Sequence, residues 1–121
     1  MLVFEEKVRL DSDRLVELYA QLGETGAQDV VCRAMEELAV RLAHIDEAYR
    51  TFKLTTLRKS AKGLIGIAEQ VGMQRLADVA RDVRACAEGP DPVALGATMA
   101  RLQRVGDRSL TAVWDLQDLS V

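Results

Sequence analysis

An all-α fold, an up-down antiparallel four-helix bundle with a short additional N-terminal helix, is what this 121-residue sequence predicts. Three observations lead there. Apolar residues recur at alternating spacings of three and four along four long segments, the signature of helices with one buried face. Short connections carrying glycine, proline or threonine separate those segments, which favours antiparallel neighbours. No segment sustains the period-two alternation of a half-buried strand. Residues 1–121 read as one domain, whose 49% hydrophobic content is enough for a core. Because only 4% of residues are aromatic, that core must be built from Leu, Val, Ala, Ile and Met.

The elements follow in chain order. Asp11 or Ser12 can cap a short first helix that reaches about Leu22, with Leu15, Leu18, Tyr19 and Leu22 on one face. The stretch GETG at 23–26 breaks it, since glycine readily adopts the left-handed conformation that ends a helix. Val31, Met35, Leu38, Leu42, Ile45, Tyr49 and Phe52 then form the clearest stripe in the chain. After a connection around 51–55, a third helix carries Leu54, Leu57, Ala61, Leu64, Ala68 and Val71, and Gly72 marks its end. A fourth uses Leu76, Val79, Ala80, Val83 and Ala87. The stretch EGPDP at 88–92 is a turn, with Asp91 placed to cap the last helix and Pro92 at its first position. That helix presents Leu95, Met99, Leu102, Val105, Leu110, Val113 and Leu116, with Trp114 read as core or end-cap.

Composition excludes several function classes. A formal net charge of −3 argues against nucleic-acid binding, which calls for a concentrated basic surface. No apolar run approaches the roughly 20 residues that span a bilayer, and the N-terminus lacks the layout of a secretory signal. Cys32 and Cys86 are far apart and without metal-ligand spacing, so they read as free thiols of a reducing cytoplasm, the expected location. His44 is the only histidine, and one imidazole without companions makes no metal site. No cofactor, phosphate-cradling loop or serine-nucleophile motif is indicated.

The stretch LRKSAKGLIGIAEQVGM at 57–73 poses a question, because Gly63 and Gly66 interrupt one amphipathic helix. Each costs about 1 kcal/mol relative to alanine in a helix interior. With Leu57, Ala61, Leu64 and Ala68 facing the core, Lys62 projects roughly 120° away at 100° per residue. Gly66 follows one turn later on the same exposed side, and Arg58, Ile65 and Glu69 border the patch.

Taken together, LRKSAKGLIGIAEQVGMQRLADVARDV resembles the centre of histidine phosphotransfer (HPt) domains of bacterial phosphorelays. Leu57, Arg58, Ala61, Gly66, Ala68, Gly72, Leu76, Ala77 and Ala80 fall on matching positions, and the likeness extends over about residues 10 to 118. The resemblance implies a four-helix bundle that exchanges a phosphoryl group between an exposed histidine and the aspartate of a response-regulator receiver domain. A glycine one turn on leaves room for the partner, and a lysine three residues after the histidine supplies positive charge.

The departure falls on the chemistry. Lys62 occupies the acceptor position and Ile65 that of the supporting lysine. A shift of three residues puts Lys59 at the acceptor position, misplaces Ala68 and Gly72, and still offers no histidine. Neutral imidazole is a competent nucleophile near pH 7, whereas a solvated lysine is only about one part in a few thousand deprotonated there. Lys62 is therefore not expected to carry phosphate. Three readings stand open. The first is a non-enzymatic, phosphoacceptor-less HPt-like binder of a receiver domain or histidine kinase, through Arg58, Lys62, Ile65, Gly66 and Glu69. The second is a phosphotransferase using the displaced His44. The third is a structural or oligomerising bundle unrelated to phosphorelays.

Overall fold

The computed structural model describes the backbone of residues 12–119 and the side chains of residues 13–113. The expected cap at Asp11 or Ser12 and the expected placements of Trp114 and Leu116 lie outside these described side chains. Four helices make up the described chain: α1 (Ser12–Arg50), α2 (Leu54–Gln70), α3 (Gln74–Glu88) and α4 (Pro92–Leu119). Each packs on its neighbour in sequence, and α4 returns to α1, closing an up-down ring. Residues 51–53, 71–73 and 89–91 are the only links between helices, too short for anything except antiparallel packing.

The expected stripes become one continuous core. Val31, Met35, Leu38, Leu42 and Ile45 of α1, Leu57, Ala61, Leu64 and Ala68 of α2, Leu76, Val79, Ala80 and Val83 of α3, and Met99, Leu102 and Val105 of α4 belong to it. The α1–α4 contact is close at Gly106, where a Cβ would stand 2.9 Å from Cδ1 of Leu42. Ser109 is buried among these residues and needs no distant partner, because its hydroxyl donates to the Val105 carbonyl at 2.7 Å.

The short leading helix and the first long one form a single kinked element in place of two separated helices. Gly23 is non-helical inside α1, at φ 74 and ψ 175. That combination is essentially restricted to glycine, so the chain bends without spending residues on a linker. The arm before the kink rests on the far end of α2, where Arg14 Nε donates to the Gln70 carbonyl at 2.9 Å. Leu18 is buried and Leu15 packs against the core, whereas Tyr19 and Leu22, expected on the same face, are exposed. The arm thus buries one edge and leaves the remainder of its apolar face in solvent.

Two helices end with the same hydrogen-bond pattern but different residues. At the end of α2, Gly72 N–H donates to Glu69 O (3.2 Å) and Met73 N–H to Ala68 O (2.8 Å), with Gly72 at φ 79. This is the Schellman arrangement, which places its pivotal residue in the left-handed region. At the end of α1, Phe52 N–H donates to Tyr49 O (3.2 Å) and Lys53 N–H to Ala48 O (2.8 Å). Here the pivot is Phe52, the one described non-glycine residue with positive φ, at 57. Phe52 was expected to continue the α1 stripe. Instead the reversal at this residue throws its ring outward, and it is 82% exposed. The third turn matches expectation: Asp91 Oδ1 accepts from Val93 N–H (3.0 Å) and Ala94 N–H (3.2 Å), with Pro92 opening α4.

Two substitutions test this backbone. A Cβ at Gly23 meets no atom within 4 Å, so Gly23→Ala isolates the conformational cost. It is expected to lower unfolding free energy by about 1–3 kcal/mol in urea denaturation. Phe52→Gly relieves a left-handed strain of roughly 1–2 kcal/mol and adds unfolded-chain entropy of roughly 0.4–1 kcal/mol. Removal of so exposed a ring costs little, so the same assay should show unchanged or slightly raised stability.

Candidate functional site

Burial of Leu57, Ala61, Leu64 and Ala68, each 0% exposed, sets the rotation of α2. Lys62 and Gly66 are consequently exposed on its outer side, as the sequence indicates. A Cβ built on Gly66 meets nothing within 4 Å, so the backbone there is open to solvent. Ile65, between them, is half-buried and packs against the core.

The two bordering charges are engaged with α3. Arg58 Nη1 approaches the Ala87 carbonyl at 3.5 Å and Nη2 the Thr55 hydroxyl at 3.4 Å, both long for hydrogen bonds. Glu69 forms an ion pair with Arg81, which also pairs with Asp78 at 3.1 Å. These exposed pairs contribute on the order of 0–1 kcal/mol each, so they orient side chains more than they stabilise the fold. Interpolation between the Arg58–Ala87 and Glu69–Arg81 contacts brings Lys62 level with Arg84 and Ala85. Arg81, Arg84, Ala85 and Glu88 line a shallow cleft on that side of α3. The candidate face therefore spans two helices and carries four basic side chains, Arg58, Lys62, Arg81 and Arg84, against three acidic ones, Glu69, Asp78 and Glu88.

The structure does not bring His44 to this face. His44 is exposed on α1, where it lines a separate cleft with Glu47, Thr51, Lys53 and Thr56. Lys62 is exposed on the outer side of α2 and does not line that cleft. Lys59, the alternative acceptor position, is also exposed.

Gly63 serves a purpose that periodicity did not reveal. A Cβ there would stand 2.3 Å from Nη1 and 2.7 Å from Cζ of Arg41, so the guanidinium of α1 lies in the notch. Arg41 is held along its own helix by Glu37, at 3.2 Å. The missing signal was register: across a three-residue turn, antiparallel helices place Arg41 opposite position 63. A long arginine facing a glycine is then the pattern to seek.

Among the described residues, no group of three or more His, Cys, Asp or Glu is placed to hold a metal ion, and no helix is long and apolar enough to cross a membrane. Cys32 and Cys86 are not joined in a disulfide, and both are half-buried. No protein-family model, curated protein or solved structure matches this chain.

The two glycines respond differently to alanine. Gly66→Ala fills open space and should stabilise by about 1 kcal/mol through helix propensity. Gly63→Ala must displace Arg41, so its gain is expected to appear fully only in an Arg41→Ala background. A double-mutant cycle by chemical denaturation reads that coupling.

Proposed function

We infer that this chain is a phosphoacceptor-less HPt-like protein that acts by docking on a receiver domain or histidine kinase, using the outer face of α2 and the adjoining edge of α3. The observation that carries this reading is Gly66. It is an exposed, uncrowded glycine in mid-helix, one turn beyond Lys62, at a position where alanine would be more stable. Its value is the flat surface it leaves beside a cation, which suits a partner that approaches the helix backbone. The up-down bundle supports the same reading, because it presents α2 between two neighbours with one side free. The cations along the α2–α3 groove outnumber its anions by one, which favours an acidic partner surface and acts on association rate more than on affinity.

Without an imidazole at position 62, the protein works on this reading as a competitor or adaptor. Calorimetric titration against purified receiver domains of the same organism should detect binding. Gly66→Arg raises helix propensity and fills the flat surface, so it should weaken that binding at least about tenfold, or roughly 1.4 kcal/mol, without loss of stability. Absence of binding to every receiver and kinase of that organism would discard the proposal. Equal binding by Gly66→Arg would move the contact elsewhere on the bundle. Incubation with a phosphorylated receiver should leave the protein unlabelled. Acid-labile label that disappears in His44→Ala would establish transfer through His44 instead.

A further inference from the structure

The end of the bundle opposite the α1 arm carries an apolar groove between the α1–α2 and α3–α4 turns. Tyr49, Leu54, Cys86, Pro90 and Leu95 line it, and Phe52 stands at its rim. Phe52 is 82% exposed, and Val93, on the first turn of α4, is 79% exposed. Exposed apolar residues beside an apolar groove mark contact surfaces when they are contiguous.

The backbone supplies an independent argument. The turn after α2 places glycine at its left-handed pivot, the residue with no steric penalty there, whereas the matching turn after α1 places Phe52. At 82% exposure the ring of Phe52 buries little surface inside the monomer to offset the strain. Such outliers cluster where the side chain serves a binding event.

The charges around the groove indicate what binds. Lys53 follows Phe52 on one lip and is exposed, while the neighbouring Arg50 is taken up by Asp46. The other lip carries Glu88 and Asp91, also exposed, on either side of Gly89 and Pro90. A two-fold axis passing between the turns, perpendicular to the bundle, sets the cationic lip of one copy on the anionic lip of another. Each Phe52 then covers the partner's groove near Pro90, twice over. Self-complementarity of this kind defines an isologous contact.

We propose that the protein self-associates end to end into a weak two-fold dimer, with Phe52 as the apolar anchor and Lys53 facing Glu88 and Asp91 of the second copy. A contact made by two three-residue turns and the groove between them is small, and interfaces below the about 800 Å² per partner of standard size belong to the weak, concentration-dependent class. The contact shares Glu88 with the face formed by α2 and α3, while its anchor Phe52 and the groove lined by Tyr49, Leu54 and Leu95 lie outside that face.

Sedimentation velocity of the full chain up to about 1 mM tests this, since weak contacts populate only there. The expected result is a monomer–dimer equilibrium whose dissociation constant rises at least tenfold in Phe52→Gly, while thermal stability of that variant is unchanged or higher. Lys53→Glu should weaken association, and Lys53→Glu combined with Glu88→Lys should restore it. Alkylation of Cys86 should slow as concentration rises, with Cys32 as the internal reference. A wild-type chain that stays monomeric throughout overturns the proposal, as does undiminished association of Phe52→Gly.

Discussion

The candidate face of this bundle depends on how α2 is turned about its own axis. Leu57, Ala61, Leu64 and Ala68 are wholly buried, and each leucine contributes roughly 1.5–3 kcal/mol by leaving water. The alternation of large and small side chains along that stripe lets α1 and α3 both approach closely. With the stripe inward, the remaining positions have no freedom. Gly63 falls toward α1, Arg58, Ile65 and Glu69 toward α3, and Lys62 and Gly66 outward. A rotation of one residue, about 100°, would carry Lys62 toward the interior and leucines into solvent. The exposure of Lys62 is therefore a consequence of core packing, while the absence of a side chain at Gly66 is dictated by none of the contacts around it.

The same economy governs the ends of the helices. Three links of three residues leave no slack, so each must reverse the chain by local hydrogen bonding. Asp91 does so with its carboxylate, and Gly72 with its missing side chain. Phe52 meets the same geometric demand against its steric preference. A bundle with a continuous core tolerates that strain at one end because the cost is small beside the burial along the helices. Gly23 differs, since it turns the α1 arm back against α2 and so permits Arg14 to satisfy a carbonyl that the end of α2 leaves open.

Periodicity made the core legible. Within one helix, burial follows the 3.6-residue repeat, which is why Val31, Met35, Leu38, Leu42 and Ile45, and the stripe from Leu57 to Ala68, are inside. The cap at Asp91 was legible for the same local reason. Features that depend on two elements were not. Arg41 against Gly63 requires the register between helices, and the engagement of Glu69 by Arg81 requires the position of α3. Phe52 kept the heptad spacing while the chain had already turned at that residue, and no glycine marked the reversal. Tyr19 and Leu22 kept theirs on an arm that buries only Leu15 and Leu18 along one edge.

The two glycines of α2 began as one puzzle and separate into two. Gly63 has an internal explanation, because Arg41 fills the space that a Cβ would take. Gly66 has no counterpart among the described residues, and its position is open on all sides that a side chain would occupy. A domain of this size has a total stability of only about 5–15 kcal/mol, so forgoing about 1 kcal/mol at an exposed site is a measurable concession. Crowding, a turn and a positive φ are all lacking at position 66, so no contact within the described residues accounts for a bare backbone there. The asymmetry between neighbours one turn apart is what ties the docking reading to this helix face.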